Sequence, residues 1–180
     1  MITAYAPNAA ACANAFLSFS EFDSDTHPPI DQMKIQKLLF YAHAWCLALK
    51  EQPLFDEDIE AWPWGPVVRE IYNQTREYGR KPITKRFTYL VKSGDGALDW
   101  EYKPASITDP ETLKFLEEIW RVHKPFSGIQ LSNSTHAQGE PWAIIRNKYK
   151  TLDGKPNIPN ELIAEVFKKK AAGDGDQAAD

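Results

Sequence analysis

IDQMKIQKLLFYAHAWCLALK, residues 30–50, is the stretch whose reading decides the fold. Ile35, Leu38, Leu39, Ala42, Trp45, Cys46 and Leu49 recur at helical spacing and mark one strongly apolar face. Phe40, Tyr41, Ala44, Leu47 and Ala48 fill most of the remaining circumference. A helix that is apolar nearly all round must be covered by other elements on most sides. Lys34, Lys37 and His43 interrupt the run, so too few consecutive apolar residues remain for a membrane span. The stretch is therefore a core helix. Asp31 is its expected N-cap, after Pro28-Pro29, and Gln52-Pro53 ends it.

Working outward, residues 8–22 predict a first helix with Cys12, Ala15, Phe16 and Phe19 on one face. A polar, proline-containing connection follows. On the other side, DIEAW at 58–62 alternates as a short strand does. The acidic run Asp56, Glu57, Asp58, Glu60 reads as solvated surface and lacks the ligand spacing of a calcium loop. Gly65-Pro66 is expected to open a helix, because proline at the first helical position loses only an unpaired N–H. Val67, Val68, Ile71, Tyr72, Thr75 and Tyr78 would form its buried face, and Gly79 would stop it.

Residues 86–92 and 98–102 alternate around Ser93-Gly94-Asp95-Gly96 and predict a β-hairpin. A lone hairpin is marginal in water, so it is expected to pack on the helices or gain a strand. A helix follows over 111–124. Ser127 and Gln130, at capping-box spacing, start a short helix running towards His136. Pro141 begins another, with Trp142, Ile145 and Tyr149 inward. A last helix is expected over 160–169, and the small acidic stretch 171–180 reads as a disordered tail. The expected fold is mainly α: a compact single-domain helical bundle over 1–170 around the apolar helix, with a small antiparallel β-hairpin.

A 43% hydrophobic fraction with 12% aromatics is enough for a packed core, and the net charge of −4 argues against a dedicated nucleic-acid surface. The N-terminal MITAYAPNAAACANAF has neither the basic segment nor the apolar run of a signal peptide, which points to the cytoplasm. Cys12 and Cys46 sit in apolar helical patterns and read as buried thiols. No HExxH, CxxC, P-loop or GxGxxG pattern occurs, and the four histidines have no zinc-like spacing. Hence no catalytic residue, metal site or cofactor is expected. A Cys–His pair of Cys46 with His43 or His136 is the one nucleophile arrangement to weigh, and apolar burial would blunt it.

Two groups remain as candidates for contact with a partner. Trp62-Pro63-Trp64 beside Gly65-Pro66 is stiff and aromatic: it either seals the core edge or anchors a partner, since tryptophan is enriched in interface hot spots. Thr135-His136 with Glu140 and Trp142 is the second. Its structural reading has His136 bonding a backbone carbonyl or Glu140 and so tying two short helices together.

KLLFYAHAWCLAL followed by PLF, then EAWPWGPVVREIY and YG, then LSNSTH and PW, resembles the SocA-like Panacea domain, also described as phage-associated GepA-like. Family members show a KLLYYA-type helix, a W-x-x-GPV segment, and a T-H followed by P-W. These fall here at 37–49, 62–67, Thr135-His136 and Pro141-Trp142. Phe40 and Cys46 stand where tyrosine and other residues are common. The resemblance covers about 8–149. It implies a non-enzymatic antitoxin that neutralises a cognate toxin protein by direct binding. The alternative it offers is an adaptor presenting the toxin to an ATP-dependent protease. A hydrolase or a DNA-binding regulator ranks below both. The expected partner-binding residues are Trp62, Trp64, Gly65, Pro66, His136, Glu140 and Trp142.

Overall fold

The apolar helix is α2, Gln32–Lys50, in a computed structural model that describes residues 4–176. Asp31 caps it by accepting from the Lys34 amide at 2.7 Å, which satisfies one of the donors a helix start leaves free. Ile35, Leu38, Leu39, Ala42, Ala44 and Cys46 are fully buried. The covering elements come from the whole chain: α1 (Ala9–Phe22), α3 (Arg69–Thr75), α4 (Pro110–His123), α5 (Gly128–Thr135) and α7 (Asn160–Asp176) all pack on α2. A sixth helix, α6 (Pro141–Lys148), packs against α5 and α7. Buried side chains from α1 through α7 join in one hydrophobic cluster. The fold is mainly α with minor β.

Two small antiparallel sheets complete it. In the first, β1 (Glu60–Trp62) pairs with β2 (Gly65–Val67) across a two-residue turn, Pro63-Trp64. Residues 156–158 add backbone bonds to β1, from the Ala61 amide to the Pro156 carbonyl and from the Ile158 amide to the Ile59 carbonyl. The expected helix start at Gly65-Pro66 is therefore wrong. Both residues lie in β2, and α3 begins only at Arg69. Gly65 has φ +107, outside the helical region, and Pro66 needs no partner for the N–H it lacks.

In the second sheet, β3 (Thr88–Lys92) pairs with β4 (Trp100–Pro104). The hairpin is where the sequence places it, yet it neither packs on the helices nor gains a strand: most of its residues are exposed. It is held at its base. The buried Asn14 side chain of α1 accepts from the Phe87 amide and donates to the carbonyls of Phe87 and Ala105, at 2.7–2.8 Å. Gln74 makes a similar pair of bonds to the backbone of Thr88.

Three smaller expectations also change. Tyr149 is partly exposed, since it follows the end of α6 in extended backbone. The acidic run is not all solvated: Glu57 caps α1 through the Ala9 amide at 2.9 Å, and Glu60 is buried against Arg69 and the Trp62 indole. Finally, α7 continues to Asp176, through much of the stretch read as a tail; residues 177–180 lie outside the described residues. Among the described residues no helix is long and apolar enough to cross a membrane.

Candidate partner-binding site

The short β1–β2 hairpin is clamped at every second carbonyl. The Trp142 indole N–H of α6 donates to the Trp62 carbonyl at 2.8 Å. The Ser132 hydroxyl of α5 donates to the Trp64 carbonyl at 2.8 Å. From α2, the Lys37 ammonium donates to the Pro66 carbonyl at 3.1 Å. Gln36 then takes the next pair, donating to the Val68 carbonyl at 3.1 Å and accepting from the Val68 amide at 2.8 Å. From adjacent positions of α2, Gln36 and Lys37 thus both reach this hairpin. A hairpin of three-residue strands could not hold its shape in water; four donated side-chain bonds from three helices give it one.

The clamp explains the glycine. A Cβ on Gly65 would stand 2.7 Å from Lys37 Nζ and 2.9 Å from Thr135 Oγ1, and φ +107 is strained for any L side chain. Thr135 is itself fully buried and donates to the Ser132 carbonyl at 2.7 Å. Position 65 therefore has both a conformational and a steric reason to lack a side chain.

His136 caps the end of α5 and stacks on the Trp142 ring at 3.8 Å between centroids, with 18° between planes. Among the described residues it does not bond Glu140, one of the two partners, with a backbone carbonyl, that the sequence offered. Glu140 pairs with Lys170 of α7, and His136 Nε2 has no hydrogen-bond partner among the described residues. The two short helices are tied by ring stacking. Burial, and then the nearby Lys37 charge, lower the His136 pKa.

The two tryptophans of the turn part company. Trp62 is half-buried against Tyr72, with Lys155 Nζ 4.0 Å from its ring centroid. Trp64 is 70% exposed. Between Trp64, α5 and α2 lies a cavity of about 530 Å³, lined among others by Lys37, Trp62, Trp64, Ile129, Ser132 and His136. Of the expected residues, Gly65, Pro66 and Trp142 build its frame, Trp62, Trp64 and His136 line it, and Glu140 faces α7. Sequence reading missed Gln36, Lys37 and Ser132. The signal for Lys37 was present, as a cation inside an otherwise apolar helix.

Neither cysteine lines this cavity, Cys46 of the Cys–His reading included. Cys12 and Cys46 are fully buried, and burial pushes Cys46 up to about 12 and Cys12 well above its usual value. Burial of this kind blunts a thiol as a nucleophile.

A family model described as antitoxin SocA-like, Panacea domain, matches residues 35–143. The chain belongs to this family. The Panacea match begins in α2 and closes just after Trp142, so it contains the hairpin and its clamping side chains together. A curated relative, "Antitoxin SocA" of Caulobacter vibrioides (strain NA1000 / CB15N), is 32% identical over 119 residues, 66% of this chain. The alignment spans 61% of that relative's length. No solved structure matches the chain.

Proposed function

We propose that this Panacea-family protein is a cytoplasmic antitoxin that neutralises a cognate toxin protein by direct, stoichiometric binding. Membership of an antitoxin family supports a toxin partner. The observation that carries direct binding is Trp64, exposed at the turn of a hairpin whose carbonyls are fixed by α2, α5 and α6. A large ring held rigidly before binding loses little conformational freedom on contact, which suits it to be an anchor. Ile129, also exposed, lines the same cavity and extends the apolar surface. His136, Trp62 and Trp142 contribute by supporting that surface.

The test is co-expression with the protein encoded by the adjacent reading frame, then reconstitution from purified components. Direct binding predicts a complex of fixed stoichiometry that blocks the toxin with no protease present. Toxin that remains active in the purified mixture, yet is neutralised in cells only when an ATP-dependent protease is intact, would replace this reading with the adaptor.

A further inference from the structure

Two lysines one turn apart on α2 are both buried, and their surroundings differ. Lys34 Nζ donates to the carbonyls of Pro28 and Lys124, each at 2.8 Å, and stands 5.3 Å from the Trp120 ring centroid. These contacts meet its charge only in part, since burial still lowers its pKa to about 8 against a smaller opposing effect of Asp31. Lys37 is 1% exposed, and its ammonium, with three N–H groups, has one hydrogen-bond acceptor among the described residues, the Pro66 carbonyl. No carboxylate there pairs with it. A buried cation without a counter-ion is costly and favours its neutral form; burial lowers the Lys37 pKa to about 7.

Lys37 lines the cavity beside Trp64. His136 lines it too, with Nε2 unpartnered. Arg80 adds a second cation at the wall. Asp31 is the acidic residue of the lining, and its Oδ1 is committed to capping α2. The walls include Trp62, Trp64 and Ile129. A volume of about 530 Å³ is that of a small-ligand pocket, well beyond what one water or ion fills.

We propose that this cavity binds a carboxylate attached to a flat apolar group, the carboxylate pairing with Lys37 and accepting from His136, the apolar group lying against Trp64 and Ile129. Such a group occurs as a free aromatic acid or as the C-terminal residue of a polypeptide. The proposal does not depend on toxin binding. It gives Lys37 a counter-ion where Lys34 has a second carbonyl acceptor.

The probes are N-acetyl-phenylalanine and its amide, with Ala-Ala-Ala-Phe bearing a free or an amidated C-terminus, titrated into the full chain by calorimetry. The acids should bind and the amides should bind about tenfold more weakly or worse. Tetrapeptide acid binding much tighter than N-acetyl-phenylalanine identifies the polypeptide source; equal binding identifies the free acid. Lys37→Met should abolish the acid–amide difference. NMR of the lysine side chains in the unsubstituted protein gives a check that needs no variant, since acid binding should raise the Lys37 pKa. Equal binding of acids and amides, no binding of either up to millimolar concentration, or an unchanged Lys37 titration would overturn the proposal.

Discussion

His43 is neutral in the fold for a reason that makes a pH prediction. It is fully buried on α2, its ring 4.5 Å from that of Phe55, and Nε2 lies 2.9 Å from Asn160 Oδ1. Burial lowers its pKa from 6.5 to about 4, against a smaller opposing effect of the Asn160 bond. The unfolded chain therefore binds more protons than the folded one between these values. The stability His43 contributes is complete above pH 6.5 and is lost as pH falls through 4, roughly 3 kcal/mol in all. His43→Gln should remove this part of the acid sensitivity, read from urea melts of both proteins at pH 7 and pH 4.5. His123 and His136, whose pKa values are also lowered by burial, will titrate equally in both proteins. Lys37 works in a higher window. Its folded value near 7 lies below 10.5, so its contribution is complete only above that and falls as pH descends to 7. Against Lys37→Met, which lacks both this titration and the bond to the Pro66 carbonyl, the natural protein should therefore gain stability as pH rises from 7 towards 10 in the same melts.

At the scale of elements, α2 and the clamped hairpin make different predictions. Leu39 is fully buried in the central helix, and Leu39→Ala should cost ~2–5 kcal/mol, measured as a loss of stability in chemical denaturation. Gly65→Ala should cost roughly 1–3 kcal/mol from the backbone alone, with more from the contact to Thr135. Gly154→Ala, where a Cβ would meet nothing within 4 Å, is its control and should melt as the natural protein does. The contrast marks what was legible in sequence. The caps at Asp31 and Ser127 are local, each three residues from its partner. The apolar periodicity of α2 is local too. Gly65-Pro66 was misread because the same dipeptide suits a helix start and a tight strand pair. What selects the strand is Lys37, Ser132 and Trp142, up to 80 residues away in the chain. Glu57 and Glu60 were misread for the same reason, since their partners Ala9 and Arg69 lie outside the acidic run.

For the whole molecule, the question is whether Trp64 binds or merely belongs to the scaffold, and Trp142 supplies the contrast. Both touch the same hairpin. Trp142 is buried, stacks on His136 and donates to the Trp62 carbonyl, so removing it frees the turn and leaves a cavity. Trp64 bonds the scaffold through its backbone carbonyl to Ser132, a contact that survives truncation of the side chain. Trp64→Ala should therefore melt within a few degrees of the natural protein yet weaken toxin binding by ~2 kcal/mol or more, about 30-fold in Kd. Trp142→Ala should lower the melting temperature and weaken binding together. The measurement is calorimetric titration with the purified toxin, beside thermal melts of each variant alone. If Trp64→Ala binds as tightly as the natural protein, the anchor lies on another face. The exposed side of the β3–β4 hairpin, with Leu90, Trp100 and Tyr102, would be the next surface to truncate, because its strands meet the helices only at their base.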